Sequence, residues 1–135
     1  MYICTHFDLH ELLPPKLFRS RPINGWELLD SRLLITLDNL RKKYGKITIN
    51  DYYFGGEREW SGLRTPESPY YSETSQHTFG RAADCLFSDI SVDRVREEIL
   101  AGSNYGFGYI HGIELDVSWF HVDVRNYDGI KTFKR

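Results

Sequence analysis

Ser75-Gln76-His77-Thr78-Phe79-Gly80-Arg81-Ala82-Ala83-Asp84 is the stretch that decides how the rest of the chain must fold. His77 and Asp84 are metal-ligand residue types seven positions apart, which on an extended chain would separate them by about 23 Å. To share an ion, the backbone must double back between them. Gly80 supplies the unusual backbone angles for that reversal, and Ala82 and Ala83 let neighbouring elements approach closely. One imidazole nitrogen and one carboxylate oxygen then reach a zinc ion at about 2.0 to 2.2 Å. Arg81 to Phe87 reads as a buried strand, which turns Cys85 to the face opposite Asp84 as a small core residue.

A third ligand is available in Trp119-Phe120-His121-Val122-Asp123-Val124-Arg125. In a strand, His121, Asp123 and Arg125 share one face, while Val122 and Val124 point to the other. A polar face therefore backs onto an apolar one. Asp123 can orient an imidazole or position a water, and Arg125 can pair with a carboxylate, although a plain structural ion pair suits both equally. Two histidines and one carboxylate leave a tetrahedral zinc one open position, the arrangement of a catalytic rather than a structural site. The expected cofactor is a single Zn2+ on His77, Asp84 and His121.

Working outward, Trp26 to Tyr44 places Leu29, Leu33, Leu37 and Leu40 at helical spacing, with Leu34 widening the stripe. Asn24 is the expected cap, and Arg41, Lys42 and Lys43 precede a stop at Gly45. Ile47 to Asn50 reads as a short strand, and Asp51 to Ser75 as a long irregular loop suited to a substrate groove. In that loop Tyr70 and Tyr71 read as packing residues. A helix over Val92–Leu100 starts from Ser91, and antiparallel strands are expected between Gly106 and Val124. The prediction is one α+β domain spanning 1–135, a small antiparallel sheet with helices packed on one side.

Composition narrows the partners. Of 135 residues, 41% are hydrophobic and 27% charged, with no run near the roughly 20 apolar residues of a membrane span. A formal charge of -2 offers no global attraction to nucleic acid or anionic lipid. Neither partner is expected. Cys4 and Cys85 lie in no C-x-x-C pair and read as thiols. His6 and His10 have helical ligand spacing but no third ligand or acid helper, so they read as structural. The opening MYICTHFDLHELLPPKLF lacks a basic start followed by an apolar run, so synthesis in the cytoplasm without a signal peptide is expected.

The ten-residue stretch resembles the S-x-H-x-x-G-x-A-x-D pattern of the zinc D-alanyl-D-alanine carboxypeptidase family, which includes phage endolysins and shares its fold with the hedgehog signalling domain. Five fixed positions match, at residue frequencies of roughly 5 to 9 per cent each. Ser61-Gly62-Leu63-Arg64-Thr65-Pro66 is similar to that family's S-G-[YF]-R-[TS]-P segment, with leucine replacing the aromatic. The resemblance spans about Ser61 to Arg125. It implies a hedgehog/DD-peptidase-like zinc fold and a metallopeptidase acting on peptidoglycan peptides, and it gives Arg64 the role of stabilising the oxyanion or holding a substrate carbonyl. A monomer is expected.

Many members carry an acid three residues before the last histidine as general base; here that position is Ser118. Asp123, Asp116, Glu114 and His111 are the possible substitutes, with Asp123 and His111 ranked first. The ending F-H-V-D-V-R is similar to a subgroup of phage proteins and cell-wall endopeptidases that also lack the acid. An endolysin or virion-associated wall hydrolase is therefore expected. The alternative is a zinc-binding module of a phage particle with the same fold and no turnover.

Overall fold

Pro15, at a first helical position, opens the short helix α1 (Pro15–Ser20), and the leucine stripe builds the longer α2 (Ser31–Tyr44). Leu33, Leu34, Leu37 and Leu40 on α2 are fully buried. The helix starts later than the apolar spacing predicts: Asn24–Leu28 forms a separate 3-10 turn, and Leu29 is extended. Asp30, not Asn24, is the cap, its carboxylate accepting from Arg32 N at 2.9 Å. The Asp30 amide is in turn spent on the Gly80 carbonyl, at 2.9 Å. The entry to α2 is thus tied to the glycine of the ligand-bearing stretch.

This computed structural model describes residues 1–102 and 105–135. The strands are β1 (Ile47–Thr48), β2 (Ala82–Phe87), β3 (Gly112–Leu115), β4 (Phe120–Asp123) and β5 (Lys131–Lys134), in the order β1-β2-β4-β3-β5. Helix α3 (Val92–Leu100) lies between β2 and β3 in sequence and is capped by Ser91 Oγ, as its sequence predicts.

The architecture is α+β, but the sheet is mixed rather than antiparallel: β5 runs parallel to β3 on its outer edge. Lys131-Thr132-Phe133-Lys134 has one apolar residue and two lysines, the pattern of a protected edge rather than of a core strand. No periodicity in the sequence announced it.

Pairing sets which residues share a face. Asp84 lies opposite His121, and Ala83 opposite Val122, across β2 and β4; Gly112 lies opposite Asp123 across β3 and β4. Ala83, Cys85, Phe120 and Val122 pack into one core with the α2 leucines and with Val95 and Ile99 of α3. Cys85 is fully buried there, as its strand parity requires. The other face carries Asp84, His121 and Asp123 and is left for chemistry. Arg96 of α3 is itself buried, and donates to the carbonyls of Glu114, Val117 and Trp119, fixing the β3–β4 connection from behind.

Because Leu37 is fully enclosed between α2 and this core, Leu37→Ala is expected to lower the stability of the metal-free protein by about 2–5 kcal/mol. Urea denaturation of the two proteins measures the difference.

Candidate metal centre

The reversal between His77 and Asp84 is a single 3-10 turn, Gln76–Phe79. Ser75 opens it, its hydroxyl accepting from His77 N at 3.2 Å, and Gly80 closes it at φ 68°. A Cβ at Gly80 would strike the Leu28 carbonyl oxygen, so glycine is required twice over, by backbone angle and by space. Arg81 N then returns to the Gln76 carbonyl, and β2 begins at Ala82.

The Ser61–Arg64 segment is threaded between the two ligands. Its Ser61 carbonyl accepts from Asp84 N at 2.8 Å, and Arg64 N donates to the His77 carbonyl at 3.2 Å. Gly62 O holds His77 Nδ1 at 2.8 Å.

These contacts fix tautomers. A carbonyl can only accept, so His77 carries its proton on Nδ1 and presents a bare Nε2 to Asp84 Oδ1, 3.3 Å away. His121 is held at its other nitrogen: Nε2 meets Asp123 Oδ2 at 2.7 Å, leaving Nδ1 turned to the same Asp84 oxygen at 3.1 Å. His77, Asp84 and His121 are all buried, and one potential ligand atom from each lies within 4.8 Å of the others. With both imidazoles neutral, three acceptors face one another with no donor between them, an arrangement that a cation relieves. Two imidazoles and a carboxylate suit a divalent transition ion. The cluster is built to coordinate a divalent metal ion.

Titration follows the same contacts. Burial would raise the Asp84 carboxyl, but hydrogen bonds and charge from His121 and His77 hold it well below the ordinary carboxylate range. His121 loses from burial but sits between two carboxylates, Asp123 and Asp84, which lift its pKa to about 9 without metal. His77 has a neutral carbonyl on its far side, and burial prevails, pushing its pKa down.

Asp123 is fully buried behind His121. Its two oxygens are taken by His121 and by Arg125, which donates from Nε at 2.8 Å and Nη2 at 2.7 Å. A Cβ at Gly112 would collide with this carboxylate, so the glycine makes its room. Asp123 is therefore placed to orient the His121 ring.

His111 is not brought to the cluster. It lies one residue before Gly112, the partner of Asp123, and so has the opposite parity; its Nδ1 contacts the Gly129 carbonyl at 2.6 Å. Asp116, at φ 59° in the β3–β4 turn, is exposed and paired with Lys134, and Ser118 is exposed in the same turn.

Glu114 is the carboxylate that the sheet brings to the cluster. Ile113 pairs with Val122; one step further along that register, Glu114 stands opposite His121, giving a row Asp84–His121–Glu114 across three strands. With the three ligands it lines a cavity of about 270 Å³, and its Oε1 accepts from Trp119 Nε1 at 3.2 Å. This row follows from strand pairing, which a lone sequence does not show.

Arg64 stands beside the metal ligands: Nε donates to the Trp60 carbonyl at 2.8 Å, and Nη2 to Asp84 Oδ2 at 3.0 Å. Tyr70, read as packing, lies 5.6 Å from the Arg64 guanidinium carbon and lines a second cavity, of about 390 Å³. The two cavities meet at Arg64, Asp84, Trp119 and Arg135. His10 takes no part; it is buried and stacks on Tyr53 at 4.0 Å.

No protein-family model matches the chain, and no curated protein or solved structure matches it. The metal centre therefore stands on its own geometry. No helix of the described residues is long and apolar enough to cross a membrane.

Two outcomes are expected. His121, raised from 6.5 to about 9, stabilises the metal-free fold fully below pH 6.5 and progressively less as the pH climbs through 9. A divalent ion at this cluster must displace that proton, so affinity for added zinc, as a probe, should rise about tenfold per pH unit between 6.5 and 9 and then level off, as read in competition with a chelator of known affinity. Asp123→Asn should weaken zinc binding by about 10- to 100-fold at pH 7.5 in the same assay.

Proposed function

We propose that the protein is a zinc-dependent peptidase that hydrolyses an amide in the peptide part of bacterial cell wall. The observation that carries this reading is the convergence of His77 Nε2, His121 Nδ1 and Asp84 Oδ1 on one point in an open groove, with a carboxylate and a guanidinium alongside. When bound, zinc supplies Lewis acidity, polarising the scissile carbonyl and lowering the pKa of water toward about 7. The wall peptide as substrate is supported by the likeness of Ser75–Asp84 and Ser61–Pro66 to the carboxypeptidase motifs.

The chain's own groups then divide the work. Glu114 takes a proton from the attacking water as its oxygen bonds to the carbonyl carbon, and returns that proton to the amide nitrogen as the C–N bond breaks. Arg64 offers a permanently charged donor to the developing oxyanion. Asp123, backed by Arg125, holds His121 in the tautomer that the site needs. The cavity around the ligands continues past Arg64, Asp84 and Trp119 into a second one, which gives room for a peptide longer than two residues. That suits cleavage within a longer peptide better than trimming of a free dipeptide.

A second reading, a zinc-binding module without turnover, is favoured by Ser118, which lies exposed in a turn where an acid would be expected. Digestion of purified wall fragments, followed by mass spectrometry, separates the two. Zinc-loaded protein is expected to release peptide products, and a chelator, His77→Ala or Asp84→Ala to abolish release. Glu114→Gln should lower kcat by about 10²- to 10⁴-fold with zinc content unchanged. Full activity in Glu114→Gln would remove the proposed base; no chelator-sensitive release from folded, zinc-loaded protein would leave the binding module.

A further inference from the structure

A third cavity, of about 520 Å³, extends the groove from the metal ligands to the head of α1. It shares Glu59 and Trp60 with the cavity that Tyr70 lines, and that cavity meets the ligand cavity at Arg64, Asp84 and Trp119. Trp60 therefore stands where an occupant of the second cavity would pass into the third. None of the groups assigned to the chemistry lies this far along.

The surface of the third cavity is mostly carbon, with Pro14, Pro15, Leu17 and Trp60 in its lining. Its charged lining residues balance, Lys16 and Arg19 against Glu59 and Glu67. Lys16 pairs with Glu67 at 3.0 Å, while Arg19 and Glu59 are in no ion pair among the described residues. Those two act on the Tyr52 hydroxyl in opposite senses, which puts opposite charges in one neighbourhood. A ligand selected for net charge of either sign gains nothing here. A neutral ligand with one apolar face and a rim of hydroxyls gains twice: its carbon face sheds water, and its hydroxyls meet guanidinium donors and carboxylate acceptors.

A further stretch of peptide is served less well. Extended peptides bind through main-chain hydrogen bonds to a sheet edge, and none of the residues lining this cavity lies in a strand. Pro14 and Pro15 have no N–H to offer. A pyranose ring has the matching chemistry: a flat C–H face, hydroxyls around it and no charge.

We propose that the third cavity is a sugar subsite, which takes a neutral N-acetylated sugar of the wall glycan while the peptide attached to it runs through the second cavity to the metal. The wall as the source of the sugar rests on the peptidase reading; the preference for a sugar rests on the surface of the cavity.

Calorimetric titration of zinc-loaded protein tests it. The probes are an N-acetylated wall tetrapeptide, the same peptide linked to its N-acetylglucosaminyl-N-acetylmuramic acid disaccharide, and the same peptide with an N-acetyl-triglycyl extension. Mass spectrometry of the same mixtures reads cleavage. The wild type is expected to bind the disaccharide form about tenfold or more tightly than the bare peptide, with the triglycyl form close to the bare one. Trp60→Ala should remove most of that preference at unchanged zinc content. Arg19→Ala, at an exposed position where substitution leaves the fold intact, should reduce it about threefold or more.

Equal affinity for the bare and disaccharide forms, including no binding of either, would overturn the subsite. An equal gain from the triglycyl extension would overturn it too, by making the occupant a peptide. So would a preference left whole by Trp60→Ala, or by Arg19→Ala where the first variant does not fold. A Trp60-dependent sugar preference without cleavage would uphold the subsite while removing the peptidase reading; cleavage without preference would do the reverse.

Discussion

Three hydrogen-bond acceptors turned toward one another in a buried space are the constraint on which the rest of the structure depends. His77 Nε2, His121 Nδ1 and Asp84 Oδ1 would repel if all three were bare. The fold nevertheless aims them inward, because the opposite side of each imidazole is pinned, one by the Gly62 carbonyl and one by Asp123. Without metal, a proton on His121 relieves the conflict; with metal, the ion does. Folding, protonation and metal binding are therefore linked through one set of atoms, and the fixed tautomers mean that the ligands are preorganised rather than recruited.

The surrounding elements supply that pinning. Gly80 closes the turn that brings His77 back toward β2, and its carbonyl also anchors Asp30 at the head of α2. The Ser61–Arg64 segment bonds both ligand segments through its backbone before offering the Arg64 side chain to Asp84. Arg96 reaches through the back of the sheet to the connection that carries Glu114 and Trp119. Apolar packing on one face of the sheet thus sets the positions of polar groups on the other.

Much of this was legible in the sequence wherever the signal was local. The spacing of His77, Gly80 and Asp84 predicts a fold-back, and the alternation through His121, Val122 and Asp123 predicts which side chains share a face; the structure has both. Helix α3 and its Ser91 cap agree at each end. What depended on pairing between distant segments was not legible. β5 carries too little apolar pattern to be seen, and its parallel placement follows only from the sheet order. Helix α2 starts at Ser31 rather than after Asn24: Asp30 caps it, and the Asp30 amide bonds the carbonyl of Gly80, a contact between distant segments. The surroundings of Asp123, His111 and Glu114 were hidden for the same reason: Asp123 is bonded by Arg125 and His121, His111 has the opposite parity, and only the register between β3 and β4 reveals Glu114 opposite His121.

The most direct measurement of the central claim is nitrogen-15 NMR of the histidine rings during zinc titration, which reports the state of each ring nitrogen separately. The expected spectrum has zinc on Nε2 of His77 with the proton on Nδ1, and zinc on Nδ1 of His121 with the proton on Nε2, saturating at one ion per chain. Imidazole signals that zinc leaves unchanged, or the opposite pair of nitrogens bound, would contradict it.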